Sequence, residues 1–407
     1  MNSIKLSSKL LPLTGEIQNY AWGGKSYISQ LLEKENNQQK CAEYWLGAHR
    51  SAPSYIATAN GNIPLDNYLK INSQESLGEE TLNKFGKLPF LFKVLDVKEM
   101  LSIQVHPTKI EAEKGFKYEN DLGIPLNAIH RNYKDDNHKP EVMVALSEFW
   151  LLHGFLAKKK LVCRLNEIKE FASLASIFKN EGYLGLYKTV MQFSVEESNH
   201  LLRPLINRIM PLYLNGKLQK NSPDYWAAKA VATSVDVNIL DKGIYSIYFF
   251  NLVQLNRGEA IFQDAGIPHA YLEGQNIELM ANSDNVLRGG LTKKHIDVAE
   301  LIKHISFTET IPNILKGDLQ NDKLERIFST SAPDFELSEI KIPISKFYNS
   351  VSKTPQILLL LDGEVEIKAG KNSLKLMKGK SVFLKANCTY KITSLKKATI
   401  YKAKVGN

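Results

Sequence analysis

The sequence predicts a mainly β protein with one helical insert, its strand-rich parts forming sandwiches or barrels. Three observations lead there. Residues 1–155 and 306–407 are rich in short runs of alternating apolar and polar residues punctuated by glycine turns. Residues 158–235 instead space their apolar residues by three and four, the helical period. Finally, RGEAIFQDAGIPHAY at 257–271 can be laid without a gap on KGKSVFLKANCTYKI at 378–392, at a constant offset of 121 residues. Gly258 then meets Gly379, Phe262 meets Phe383, Ala265 meets Ala386 and His269 meets Tyr390. This implies two related barrels, of which only the first keeps a metal-capable side chain at that strand position.

In chain order, LFKVLDV at 91–97 and EVMVALSEFWLLHGF at 141–155 read as strands around loops. Between them Leu101, Ile103 and Val105 alternate with Ser102, Gln104 and His106, the pattern of a half-buried strand. Pro107 should end that strand, Thr108 should open a short helix, and Gly115 should close it. The polar segment NYKDDNHKP at 132–140 reads as a loop entering the next strand. ASLASIFKN, VEESNHLLRPLINRIMPLYL and SPDYWAAKAVATS have helical spacing, and Ser222 before Pro223 marks a helix start. Strands return with YSIYFFNLVQL at 245–255, LTKKHIDVAELIKHI reads as a helix, and residues 306–407 form another strand-rich unit. The expected division is 1–157 and 241–305 for the first β unit, 158–240 for a helical domain and 306–407 for a C-terminal β unit.

Composition narrows the function. In 407 residues, 43% are hydrophobic and 23% charged, an ordinary soluble globular balance. No stretch reaches about 18 uncharged apolar residues, so no membrane span is expected. The first residues are too weakly apolar for a good signal peptide. Three cysteines make neither a disulfide framework nor a thiolate cluster, and a reducing cytoplasmic setting is expected. The net charge of +9 suits anionic partners, but the lysines are dispersed and no recognition helix or basic–aromatic platform appears. No nucleic-acid partner is expected. A small phosphorylated substrate needs only one or two of these charges. Neither a nucleotide-binding glycine loop nor a Ser-His-Asp or Cys-His constellation stands out. Sequence leaves the oligomeric state between monomer, the expectation, and dimer.

Gln104 and His106 lie two apart and share a strand face. Glu141 starts a strand after Pro140, and His269 follows Pro268 at the start of another. Together the four offer two imidazoles, one carboxylate and one amide oxygen, a set that suits zinc or another divalent first-row metal. Spacing alone leaves a second reading open, a wet sheet face with ordinary surface hydrogen bonds. His130, His153, His200, His295 and His304 have no comparable context and read as structural or exposed.

At these residues the sequence resembles the type I phosphomannose isomerases. The resemblance is carried by QNYAWGG at 18–24, AEYWLGAHRSAPS at 42–54, FKVLDVKEMLSIQVHP at 92–107, DDNHKPEVMVAL at 135–146 and IPHAYLEGQNIELMANSDNVLRGGLTKKHID at 267–297. It implies a zinc-dependent cupin enzyme that interconverts mannose 6-phosphate and fructose 6-phosphate. It also implies two jelly-roll barrels with a helical domain, and one zinc per chain held by Gln104, His106, Glu141 and His269. The second barrel should be metal-free. Arg50 departs from the pattern, since many relatives carry proline there.

The isomerisation needs a base that can return its proton, and positive character near the developing enediolate. The resemblance makes Arg288, in NVLRGG, an active-site arginine near the reacting carbons, where an isolated sequence would suggest a solvent-facing loop residue. Glu278 is expected to turn toward the pocket as a base or to orient water. Lys139 and His138 are candidates for proton handling or phosphate contact, with Lys139 preferred because it can point the same way as Glu141. Ser102 shares the face of Gln104 and is expected to meet phosphate or a hydroxyl. Lys93 is expected to add charge to the pocket, or else to guard an edge strand. Tyr271 should line the sugar cavity, while Trp22 and Trp45 read as packing residues. Two other functions compete with the isomerase, a non-catalytic sugar-binding or regulatory barrel and a metal-dependent oxidase.

Overall fold

The computed structural model describes residues 6–35, 38–234, 236 and 238–406. The fold mixes two large β-sheets with a helical region, and among the described residues no helix is long and apolar enough to cross a membrane. The first sheet is organised by one long strand, His269–Ala281. Its second half pairs with Phe90–Val97 on one side and Glu141–Ala145 on the other. Its first half pairs with Phe149–Phe155 and sets His269 opposite Gln104. The strand changes partners at Gly274, whose φ is +132°. A Cβ there would lie 2.6 Å from the Glu148 carbonyl oxygen, so only glycine fits this turn in the sheet. Leu95, Met143, Ala145, Phe149, Leu151, Val253 and Tyr271 form a common apolar core between the layers.

Several expected elements have different bounds. The strand expected at 101–106 is only Gln104–Val105, because Ile103 bonds to the turn after Arg288, donating to the Gly290 carbonyl and accepting from the Gly289 N–H, rather than extending a ladder. Thr108 does open a helix, with a capping box to Glu111, but the helix runs Lys109–Asp121, past Gly115. Gly115 serves contact rather than termination, since a Cβ there would sit 2.2 Å from the Tyr133 ring. The aromatic run expected as a strand from 245 begins as the helix Gly243–Phe249 and turns into a strand only at Phe250–Leu255. Tyr245 and Tyr248 pack edge or tilted against Phe171, so the helical core claims this segment. Between 158 and 235 the helices are Lys158–Glu167, Ala172–Gln192, Val195–Leu214 and Pro223–Ala232, the last capped by Ser222 as expected.

Sheet membership also crosses the expected boundary at 306. Leu10–Thr14 pairs with Ser381–Leu384, and Tyr55–Thr58 and Gly61–Pro64 extend the same sheet. The two ends of the chain are thus joined by one ladder. Leu10, Leu11 and Leu13 are buried there.

The internal correspondence has a structural counterpart. In the first sheet Ala260–Gln263 pairs with Glu141–Ala145, which pairs with His269–Ala281. In the second, Ser381–Leu384 pairs with Gln356–Ala369, which pairs with Cys388–Lys404. Gly258 and Gly379 both have positive φ at the preceding turn. Glu141 lies opposite Gln263, as Gln356 lies opposite Leu384, 121 residues further on. Gln356 therefore takes the place of Glu141 and Tyr390 that of His269. The Tyr390 hydroxyl donates to Gln356 Oε1 at 2.9 Å, so this neutral pair satisfies itself.

Candidate metal centre and substrate cavity

His106, Glu141 and His269 converge, with one ligand atom from each within 4.8 Å of the others, and all three are buried. His106 Nε2 lies 3.5 Å from Glu141 Oε1, and His269 Nε2 lies 3.4 Å from Glu141 Oε2. Both imidazoles are oriented from behind. His106 Nδ1 donates to the Asn285 carbonyl at 2.8 Å, and His269 Nδ1 to the Ile267 carbonyl at 2.9 Å. A carbonyl can only accept, so each ring keeps its proton on Nδ1 and turns an Nε2 lone pair inward. Neither Nε2 has a hydrogen-bond partner. Burial, reinforced by Lys139, pulls the His106 pKa down to about 4, so the ring is neutral near pH 7. These two lone pairs and the carboxylate fit a divalent metal. Gln104, set between His269 and Arg288 in the strand pairing, lines the same pocket.

The loops that carry these residues are clamped to one another. The Gly266 N–H donates to the His106 carbonyl at 3.0 Å, tying the turn before His269 to the His106 strand. Asn285 is buried, and its side-chain oxygen accepts from the Lys134 N–H at 2.7 Å. Its amide nitrogen donates to the carbonyls of Asp135 and Asn137, at 2.7 and 2.8 Å. One residue thus shapes the loop leading to Lys139 and Glu141 while its own carbonyl aims His106. Sequence reading missed Asn285, whose only signal was its place in the block NSDN.

Charged residues form a second layer. Lys139 Nζ sits 2.7 Å from Glu141 Oε1, and Lys93 Nζ sits 3.1 Å from Glu278 Oε2 and 3.4 Å from Glu43 Oε2. Lys93 also lies 5.0 Å from the Trp45 ring centroid, and Trp45 Nε1 donates to Glu43. Glu43, Lys93, Gln104, Glu141, His269 and Glu278 line a cavity of about 50 Å³. Three carboxylates, two ammonium groups and two imidazole nitrogens turned inward meet here, a donor set that favours a cation. Burial opposes the charge on Lys93, but Glu43 and Glu278 overcome it and raise its pKa. Burial likewise opposes ionisation of Glu141, but Lys139 and His106 hold its pKa well below the usual carboxylate range. Glu278 goes the other way, raised by burial and then by Glu141.

Lys93 is not an edge residue, because Phe90–Val97 lies between His269–Ala281 and Glu43–Gly47. Tyr271 lines the small cavity, and its buried hydroxyl has no hydrogen-bond partner. Trp45 packs as expected, while Trp22 reaches the wall of a larger cavity. Among the expected site residues, His138 is not brought in. Its Nε2 lies 2.7 Å from Asp334 Oδ2, away from Glu141. His138 thus ties the metal-site loop to the chain leading into the second sheet. His153, read as structural or exposed, is buried directly behind the site. It lies opposite His269 in the ladder and its Nδ1 is 2.7 Å from Gln263 Oε1.

The larger cavity, about 1060 Å³, meets the small one at Gln104 and Leu101. Ser102, Arg288, Lys293 and Lys294 line it from the sheet side, and Leu240 and Ile244 from the helical side. Arg288 is half-buried and its guanidinium has no ion-pair or hydrogen-bond partner among the described residues. Burial lowers its pKa, but a guanidinium remains charged, so it is a ready anion receptor. Burial and Arg288 together lower Lys294. The lysines at 293 and 294 were not singled out from the sequence.

Fold and site define a β-sheet protein whose histidine–carboxylate cluster lies beside a small cavity that meets a larger, anion-receptive one. Comparison narrows the class. The family model for the phosphomannose isomerase type I catalytic domain matches residues 10–158. A mannose-6-phosphate isomerase from Salmonella typhimurium is 36% identical over 382 residues, covering 92% of this chain and 94% of that protein. The rat mannose-6-phosphate isomerase is 34% identical over 437 residues, covering 97% and 98%. The solved Salmonella typhimurium mannose 6-phosphate isomerase with fructose 6-phosphate and zinc superimposes with a TM-score of 0.87 at 32% identity, over 98% of this chain and 100% of that one. The chain belongs to the type I phosphomannose isomerase family.

Proposed function

We propose that the chain is a zinc-dependent aldose–ketose isomerase that interconverts mannose 6-phosphate and fructose 6-phosphate. The observation that carries this reading is the pair of buried, partnerless Nε2 atoms facing Glu141, beside a cavity that holds an unpaired arginine. Gln104, His106, Glu141 and His269 would hold one zinc per chain. Zinc bound there would supply fixed positive charge beside the reacting sugar oxygens, directly or through water.

The protein's own groups do the rest. A base removes the proton from carbon two, the electron pair becomes the carbon–carbon double bond, and the carbonyl oxygen takes the charge. Returning that proton to carbon one, while the hydroxyl proton at carbon two passes to the oxygen at carbon one and the carbon-two oxygen becomes the carbonyl, gives the ketose. Glu278 is the proposed base for this transfer; its lining of the small cavity and the raising of its proton affinity by burial support the reading. Lys93 holds that carboxylate in place, and Lys139 holds Glu141. Arg288, next to Gln104 in the ladder, faces the developing oxyanion, and Ser102, Lys293 and Lys294 bind the phosphate end.

The finer architecture proposed is two jelly-roll barrels of the cupin type plus the helical domain, with the boundaries given above except for the N-terminal strands in the second sheet. The neutral Tyr390–Gln356 pair supports a metal-free second barrel. The proposed setting is the cytoplasm, in keeping with three free cysteines.

The test is to strip the purified protein of metal, resupply zinc, and follow both sugar phosphates. Metal-dependent interconversion is expected. Sugar-phosphate binding without turnover would favour the regulatory alternative, and a rate indifferent to verified metal removal would end the zinc reading.

A further inference from the structure

The cations at the phosphate end sit on a turn that cannot hold its own shape. Beyond Arg288, the chain from Gly289 to Lys294 belongs to neither a helix nor a strand. Leu291 has φ +53°, a left-handed conformation unfavourable for a branched side chain. Such a turn needs an outside restraint, and Asp241 supplies it. This residue lies at the exit of the helical insert, just before the helix Gly243–Phe249. Its Oδ1 accepts from the Leu291 N–H at 2.8 Å and from the Gly243 N–H at 2.7 Å, and its Oδ2 accepts from the Thr292 N–H at 3.0 Å. One carboxylate therefore binds amides from both segments.

The two backbones also touch. A Cβ on Gly290 would lie 2.4 Å from Gly243 Cα, and one on Gly243 would lie 2.5 Å from the Leu291 nitrogen. A Cβ on Gly289 would meet the Tyr187 hydroxyl, from another helix of the insert, at 2.6 Å. The RGG sequence is thus explained by close approach to the insert. Leu240 and Ile244, on either side of the carboxylate, line the same cavity as Arg288, Lys293 and Lys294.

We propose that Asp241 is a positioning residue for sugar-phosphate binding, a brace that locks the Arg288–Lys294 turn to the helical insert and so sets the cations against the phosphate. The insert is then part of the substrate site rather than an appendage. This inference rests on the phosphate reading given above. Charge-assisted bonds to a carboxylate are stronger than neutral ones, and two of the three are what the turn loses when Asp241 is removed.

The experiment uses the zinc-loaded full chain, with inorganic phosphate as a competitive probe. Wild type, Asp241→Ala and Asp241→Asn are compared for zinc content, kcat, KM for mannose 6-phosphate and the inhibition constant of phosphate. Asp241→Ala is expected to raise both KM and the inhibition constant about tenfold. Its kcat should fall by less, and its zinc content should not change. Asp241→Asn keeps one acceptor oxygen and should fall between. A merely structural role would lower the amount of active, zinc-loaded protein but leave KM and phosphate inhibition unchanged, and that result overturns the inference. If Asp241→Ala does not fold, the same criterion applies to Asp241→Asn. A wild type that phosphate does not inhibit would overturn the phosphate reading together with the brace. Normal inhibition of wild type with unaltered variants would overturn the brace alone.

Discussion

Replacing Glu141 by glutamine tests the charge logic of the metal centre with almost no change in shape. Glu141 is the only carboxylate among the described residues within 4.0 Å of Lys139, and it faces both inward-turned imidazoles. The amide replaces one of the three buried carboxylates, so the pocket loses negative charge. Outer-shell changes at metal sites typically cost 10–100-fold in affinity, and removal of a charged ligand is expected to cost at least about 100-fold. At saturating zinc, a 100-fold weaker affinity removes about 2.7 kcal/mol of ligand stabilisation. The metal-free protein should suffer separately, because the Lys139 ammonium becomes a buried cation without its partner, at a cost of about 3 kcal/mol. Denaturant unfolding with and without zinc reads both quantities, and competition with a chelator reads the affinity directly. A Glu141→Gln protein that is as stable as wild type without metal, and gains as much from zinc, would refute the reasoning.

Other perturbations separate the remaining claims. Arg288→Ala should keep its zinc and lose about 100-fold in kcat/KM, as expected when a preorganised cation is removed, and unchanged turnover would end the assignment to Arg288. Gly115→Ala should lower the melting temperature even though alanine favours helix, because its Cβ meets the Tyr133 ring at 2.2 Å and overpacking costs roughly 1–3 kcal/mol. A higher melting temperature would show that propensity wins. Glu300 supplies a pH test away from the metal site. Burial opposes its ionisation, but hydrogen bonds from Lys303, Tyr133 and His304 bring its pKa down to about 2 from an ordinary 4.5. Its folded pKa is depressed, so its contribution is present above about pH 4.5 and lost as pH falls toward 2. Glu300→Gln should flatten the fall of stability across that window, measured as the urea midpoint, and an unchanged slope would count against the hydrogen-bonded carboxylate.

The candidate site was legible in pieces. Gln104 and His106 announced themselves because a strand repeats every two residues, and polar residues on an otherwise apolar strand need a reason. Ser222 and Pro223, and Thr108, were readable because helix caps are local chemistry. Gly115 misled because glycine ends helices and also permits close packing, and only a neighbour such as Tyr133 tells the two apart. The run 245–249 misled because an aromatic-rich stretch that is buried throughout shows no clear period, so its conformation follows from what packs on it, here Phe171. His138 reads in sequence as a lesser candidate beside Lys139, and their side chains diverge, one to Asp334 and the other to Glu141.

Local pattern by itself determined the strand-rich character, the helical insert, the caps and the types of ligand available. These depend on periodicity and on chemistry confined to a few neighbouring residues. Tertiary structure alone decided that Leu10–Thr14 joins the far end of the chain, that the Asn285 carbonyl aims His106, and that Asp241 grips the turn bearing Arg288. Those contacts join residues tens to hundreds of positions apart through backbone groups, which every residue carries and no sequence pattern marks.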